Sequence, residues 1–413
     1  MQQKCAYCIR SRLEYNHRMD ISRFTDKATG KLIPITHPDD HAFVPDALPP
    51  KWTFDHALWP LLTEAKRCLG ELNGVARMLP NPELLLKPLQ RVESLTSSRL
   101  EGTYATAEQV MLFEMNPKQP QNSADESNAW LEVYNYTQAL RHGFNSLVQL
   151  PFCVRLMKDL HRILLQGVRG TTTRLGEFRT HQVHLGSIRR YVPPPPGPET
   201  ERCMNDFELY LNKTNDSFDP LVRCFLAHYQ LEAIHPFSDG NGRIGRVVLS
   251  LMIYKWCSLQ MPWLYMSPYF ERYKEEYITN LFNVSTEGAW SKWIEFCLRG
   301  VIQQSIKAAL TCKALHLLKE DMHRRTEKDG RARIHGVIND LFDYPVVRIG
   351  DLARKRGVHY PTAKSDVDYL ISKSILAPLP DPKIKTFFAP EIFKVAYAED
   401  KDGEPTHALT IAP

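Results

Sequence analysis

At 413 residues, with 43% hydrophobic and 24% charged residues, the chain is long enough for two or three compact units, each with its own core. Its formal net charge of +5 is mild for that size, so composition names no acidic partner and any basic patch has to be argued locally. Nine cysteines, an odd number without framework spacing, exclude a disulfide scaffold and fit reduced, buried thiols.

The first fifty residues read as loop, ending in the proline-rich "FVPDALPP" (43 to 50). The N-terminus is polar and charged, unlike a secretory signal, and Met19 offers a shorter start that would leave a leader contributing little to the fold. Cys5 and Cys8 form a CxxC with no second pair at zinc-finger distance, so a zinc or redox role and a non-functional leader both stand open.

From Asp55 apolar residues recur at three-and-four spacing, which predicts a helix that Asn73-Gly74 interrupts or kinks. Asn81-Pro82 restarts a helix that Gly102 stops. Residues 116 to 129 are polar and read as a loop. Helices resume at about Ala129 and again from Pro151 to Gln166. The segments "HQVHL" and "IRRYV" alternate about Gly186-Ser187 and predict a short hairpin between His181 and Val192, closed off by four prolines.

Asp219-Pro220 supplies a capping carboxylate and a first-turn proline for the next helix. A second apolar helix begins at about Gly242, and more extend to about Leu318. Its apolar run from Val247 is broken by Lys255 and falls short of the ~20 residues a membrane span needs. The chain therefore reads as soluble and cytoplasmic, with no membrane partner. Residues 319 to 333 form a charged connector. Beyond it a helix, a turn at Gly357-Val358, a second helix and "APLPDPKIKTFFAP" predict a winged helix-turn-helix. The fold class is mainly α with one β-hairpin, plus a small α+β domain at the C-terminus.

Between the two central helices lies "HPFSDGNGRIGR", residues 235 to 246. Its glycines leave backbone N–H groups bare, and a helix N-terminus adds positive dipole, so the stretch suits an anion. Arg243 and Arg246, three residues apart, project toward that anion, and guanidiniums bind phosphate oxygens in bidentate fashion. Asp239 is the lone carboxylate expected of a Mg²⁺ site that keeps its waters and shares its ion with phosphates. His235 has the side chain suited to taking a proton near neutrality, and Phe237 points inward to fix the loop. Together these parts describe transfer of a phosphoryl or nucleotidyl group to a hydroxyl.

The stretch resembles the signature of the Fic family, HxFx(D/E)GNGRxxR, at every fixed position. The resemblance implies a Fic-type helical core, with the hairpin as a flap that pins a target segment by strand addition. It implies transfer of AMP from the substrate ATP to a Tyr, Thr or Ser hydroxyl of a protein target, the enzyme itself included, with release of pyrophosphate. His235 would be the base and Asp239 the Mg²⁺ ligand. Gly240, Asn241, Gly242, Arg243 and Gly245 would cradle phosphates, while Arg246 engages the γ-phosphate. Tyr277, in "SPYFERYKEEYITNL" (267 to 281), is the candidate for the adenine pocket, although Tyr273 stands where the family often has asparagine.

"SSRLEG", 97 to 102, resembles the family's inhibitory motif through Ser97, Glu101 and Gly102. Glu101 would pair with Arg246 and deny it to the γ-phosphate, while in some relatives the same glutamate helps remove AMP. Residues 1–40 would then be a leader and 41–128 an N-terminal helical domain carrying the inhibitory helix. Residues 129–318 would be the core, 319–333 the connector and 334–413 the winged-helix domain and tail. Relatives of this layout dimerise through their cores, so a homodimer is compatible with it. In the tail, Arg354, Lys355, Arg356, Lys364, Lys373, Lys383 and Lys385 suit DNA phosphates, Asp366 and Asp368 oppose them, and protein docking is the competing use. A DNA-binding regulator with a nucleotide-sensing core is accordingly the second class of function.

Overall fold

The computed structural model describes residues 18–36, 39–78, 82–168, 174–186, 190–214, 217–327, 332–379 and 385–397. It divides into two compact units, one of Met1–Leu69 and Glu93–Gln304, the other of Gly70–Val92 and Ser305–Pro413. The pair Cys5 and Cys8 lies outside the described residues.

The first unit opens on a strand pair where a loop was expected. Strands β1 (Gly30–Thr36) and β2 (Asp39–Pro45) run antiparallel, with Leu32 opposite Phe43 and Pro34 opposite His41. Two prolines and two adjacent aspartates hide the alternation in sequence, but a two-stranded ribbon tolerates proline because its outer edges need no N–H. Buried Asp40 accepts the backbone N–H of Met19 at 2.9 Å, and Ala42 packs with Met19 and Val192. Helix α1 (Trp59–Met78) runs through Asn73-Gly74 without a break. Helix α2 (Pro82–Leu100) follows it.

Helix α3 (Ala107–Met115) was not anticipated, yet its signal is present. Thr106 and Gln109 form a reciprocal capping box. Helix α4 (Ser127–Ser146) packs on α3, on α5 (Val154–Leu165) and on α8 (Asn241–Trp256). Between α5 and α8 come α6 (Pro198–Leu211) and α7 (Pro220–Ile234). Helix α7 is buried nearly all round and packs on α8, so these two form the centre of the core. Helices α9 (Ser267–Arg272) and α10 (Lys274–Glu287) complete the unit with the first part of α11 (Trp290–Thr326). The expected hairpin between His181 and Val192 is represented by one antiparallel bridge, Leu185 to Tyr191, and residues 187–189 lie outside the described residues.

In the second unit α11 continues through residue 326, so the first half of the expected connector is helix. Helix α12 (Ala332–Asp343), β3 (Val346–Arg348), α13 (Ile349–Arg356) and α14 (Tyr360–Ser372) follow. The turn between α13 and α14 is made by Gly357 at φ 62°, a left-handed value that favours glycine. Strands β4 (Ala377–Pro378) and β5 (Thr386–Phe388) form a sheet of order β3-β5-β4, and α15 (Pro390–Tyr397) closes the described chain. Among the described residues no helix is long and apolar enough to cross a membrane.

Candidate functional site

The site is built where α7 ends and α8 begins. His235 caps α7 in a left-handed conformation at φ 48°, which turns the chain sharply out of the helix. Gly240, at φ 77°, performs the opposite turn into α8. Between them Phe237 is fully buried and stacks on the His161 ring at 4.0 Å. The Asn241 side chain spans the loop, accepting from the Phe237 N–H and donating to the Phe237 carbonyl, both at 2.8 Å. Its amide thus holds the loop's shape, and its contribution to an anion is the bare N–H at the start of α8.

Arg179 braces the same loop from outside. Its Nε donates to the His235 carbonyl at 2.9 Å, and its backbone N–H donates to that of Pro236 at the same distance. Burial lowers the His235 imidazole to about 4, with Arg179 pushing the same way and Glu101 opposing. At neutral pH the ring is therefore uncharged and able to accept a proton. Its buried Nδ1 lacks a hydrogen-bond partner among the described residues.

The two arginines take different carboxylate partners, and both act on Glu101. Arg243 reaches Glu132 of α4 at 2.6 Å and lies 3.6 Å from Asp239. Arg246 turns toward the end of α2, where its Nε donates to Ser97 Oγ at 2.8 Å. Its Nη2 donates to the Ser97 carbonyl at 3.0 Å and to Glu101 Oε1 at 2.7 Å. Both guanidiniums are almost fully buried, and Arg246 is held firmly cationic by Glu101 against the opposing effect of burial. Burial alone would raise the Glu101 carboxyl, but Arg246, with Arg243 and His235 behind it, lowers it, so the residue is an anion. Gly242 faces this pair so closely that a methyl there would overlap the Glu101 carboxylate.

The end of α2 is fastened at several points. Glu93, two turns before Glu101, accepts from Tyr136 Oη at 2.8 Å, Ser267 Oγ at 2.6 Å and the Ser267 N–H at 3.0 Å. Lys274 donates to the Leu100 carbonyl at 2.7 Å, supplying the cation a helix C-terminus favours. Gly102, at φ 87°, ends the turn, and Thr103 donates to Glu132 at 2.8 Å. Glu93, Glu132, Arg179 and Lys274 escaped the sequence reading because each lies far from the loop in sequence and carries no local signature.

Asp239 remains half-exposed beside the bare N-terminus of α8, its Oδ1 accepting from the Gly240 N–H at 2.7 Å. Among the described residues no three His, Cys, Asp or Glu side chains cluster to hold a metal. One accessible carboxylate beside the N-terminus of α8 fits Mg²⁺ shared with a polyphosphate, since that ion keeps its waters and takes few protein ligands. Tyr277 is placed differently from expectation. It is 5% exposed, its ring stacks on Phe270 at 4.4 Å, and its hydroxyl meets His228 Nε2 at 2.9 Å. It belongs to the aromatic core under the site rather than to an open base-binding face.

The tail's basic residues are largely engaged within their own unit. Lys364 pairs with Asp368 at 2.7 Å, Lys355 with Asp340 at 3.0 Å, Arg354 with Asp351 at 3.4 Å, and Arg356 also with Asp340. Asp366 is buried against Arg333 in a two-point pair at 2.6 and 2.9 Å, so it faces inward. Lys383 lies outside the described residues.

Comparison with known proteins places the arrangement in context. Residues 59–145 match the Fic/DOC family N-terminal model, and residues 151–253, which include the whole loop, match the Fic/DOC family model. The chain is 34% identical over 157 residues to the protein adenylyltransferase Fic of Drosophila yakuba, covering 37% of this chain and 30% of that protein. With the protein of the same name from Drosophila grimshawi it shares 38% over 133 residues, covering 32% and 26%. It thus spans about a third of the length of the curated relatives it matches. A Fic family protein from Desulfovibrio desulfuricans G20 shares the fold, with a TM-score of 0.52 at 20% identity over 83% of this chain and 98% of that one. With both domain models matched in order around the loop described above, this chain carries a Fic/DOC family N-terminal domain followed by a Fic/DOC family domain.

Proposed function

We propose that the protein is an autoinhibited protein adenylyltransferase, transferring AMP from ATP to a Tyr, Thr or Ser hydroxyl of a protein target, with itself among the acceptors. The observation that carries the reading is the occupation of Arg246, in the first turns of α8, by Ser97 and Glu101. A buried arginine beside a helix N-terminus suits a polyphosphate, and here an internal carboxylate holds that place.

In the active form Glu101 withdraws and Arg246 takes the γ-phosphate, which aligns the α-phosphate for attack. The N–H groups at Gly240 to Arg243 hold the phosphates, with Gly242 leaving room for close approach, whereas Gly245, expected in the same cradle, faces Glu232 and His228 of α7. Asp239 would hold Mg²⁺, which when bound neutralises polyphosphate charge. The uncharged imidazole of His235 accepts the proton of the target hydroxyl as its oxygen bonds to the α-phosphorus, and the bond to pyrophosphate breaks. The segment from His181 to Val192 would dock the target by main-chain pairing. Tyr277 would shape the adenine side from beneath, by supporting Phe270 and His228.

The proposed domains are those read from sequence: 41–128 with the inhibitory helix, 129–318 as the core, and 334–413 as a winged-helix domain. We assign the tail to protein docking rather than DNA, because Arg354, Lys355, Arg356 and Lys364, four of the six described cations that suit DNA phosphates, already have carboxylate partners. A cytoplasmic location accords with the seven described cysteines, all free thiols. A homodimer through the core is compatible with this layout.

The test compares ATP labelled at the α- and the γ-phosphate on the Glu101→Gly protein with Mg²⁺. Label on protein from the α-position alone is expected. Label from the γ-position would show phosphoryl transfer and overturn the reading.

A further inference from the structure

Arg246 has a second carboxylate neighbour that the reaction as described does not use. Glu232 lies on α7 one turn before His235, and its Oε1 is buried without a hydrogen-bond partner among the described residues. It presses on α8 at Gly245, beside Arg246, where a methyl would overlap that oxygen and force the carboxylate to shift. No donor comes from its own helix. His228, one turn earlier, contacts the Gly245 carbonyl through Nδ1 and the Tyr277 hydroxyl through Nε2.

The charges facing Glu232 are Arg246 from α8, which attracts, and Glu101 from α2, which repels. Tyr277 faces it from α10, while His228 and His235 on α7 are uncharged at neutral pH. Two carboxylates thus act on one guanidinium in a buried site, Glu101 through a direct ion pair and Glu232 through its charge alone. While Glu101 occupies Arg246, burial and Glu101 together raise the Glu232 carboxyl to about 7, against the pull of Arg246. A phosphate on Arg246 would have the same sign as Glu101. An empty Arg246 would leave Glu232 and Glu93 as the described carboxylates acting on it and favour ionisation of Glu232.

We propose that Glu232 is a positioning residue of the Arg246 anion seat, taking up a proton when a phosphate or Glu101 sits on Arg246 and releasing it when the seat is empty. The proton comes from solvent, so seating an anion consumes one proton near neutral pH. This rests on the reading that Arg246 receives a nucleotide phosphate. The residue acts through Arg246 and needs no contact with the reacting atoms.

The test uses Glu101→Gly and Glu101→Gly/Glu232→Gln with Mg²⁺ and an α,β-methylene ATP analogue, which cannot transfer AMP. Calorimetry in two buffers of different ionisation heat gives protons taken up on binding, and the dissociation constant is measured at pH 6 and pH 8. Glu101→Gly should take up protons and bind roughly three- to ten-fold more weakly at pH 8. The double variant, whose glutamine imitates the protonated acid, should show less uptake and a flatter profile. A melting temperature at pH 8 no lower than that of Glu101→Gly would show that it is folded. Equal uptake and equal slope in both proteins would overturn the proposal. Absence of binding by Glu101→Gly at either pH would instead overturn the reading of Arg246 beneath it.

Discussion

At the scale of single residues the site is governed by competition for two buried guanidiniums. Arg243 is occupied by Glu132 and Asp239, and Arg246 by Ser97 and Glu101, so neither is open to a phosphate in this state. The Ser97 hydroxyl bond is one of three on Arg246 and the one a methyl side chain removes. Ser97→Ala should therefore loosen the brake without abolishing it, raising self-labelling by roughly three- to ten-fold over the parent and below Glu101→Gly. Labelling at the parent level would show that Ser97 contributes no restraint. His235, the glycines and Arg246 were legible from sequence because their chemistry is local to twelve positions. Glu132, Arg179 and Glu232 were not, since a charged residue on a distant helix acquires its meaning only when packing chooses its partner.

At the scale of elements the decisive piece is the last turns of α2. Glu93, Ser97 and Glu101 recur every four residues and so share one helix face toward α4, α8 and α9. Glu93 is buried and satisfies three donors, two of them from Ser267 at the start of α9. Glu93→Ala would leave those donors unmet at a cost of ~1–3 kcal/mol each. Its expected outcome is a melting temperature lower by several degrees together with higher self-labelling, because the helix end that carries Glu101 loses its anchor. Glu93→Gln, which keeps an acceptor, should stay close to the parent in both. A loss of stability with no change in labelling would separate this anchor from the brake. Helix α2 itself was readable from its pattern, and Gly102 marked its end. The capping box at Thr106 was equally readable and pointed to α3, whereas β1 and β2 were obscured by proline and paired aspartates.

At the scale of the molecule, charge buried in the centre links stability to pH. His161 and His235 are lowered to about 4 and His228 to about 3, each chiefly by burial. The unfolded chain therefore takes up protons on these side chains from about pH 6.5 downward, while the folded one does not, and stability falls as pH drops through that window. Glu232, raised to about 7 by burial, works the other way between about 4.5 and 7, where the folded form holds the extra proton. Buried Glu93 is raised as well and works with Glu232, but three groups outweigh two, so the melting temperature should decline from pH 7 to pH 5. A flat or rising profile would contradict buried neutral histidines. The order of helices and the helix-turn-helix pattern of the tail were legible from periodicity and from Gly357. The extent of α11 was not, because a charged run reads the same on a solvated helix as on a linker.

The central claim is that Glu101 restrains an AMP-transferring site whose base is His235. Intact mass of purified parent, Glu101→Gly and Glu101→Gly/His235→Ala after incubation with ATP and Mg²⁺ tests it most directly. At most slight modification of the parent is expected, with addition of one or more AMP units to Glu101→Gly and none to the double variant. Equal modification of parent and Glu101→Gly would contradict the brake, and modification that survives His235→Ala would contradict the base.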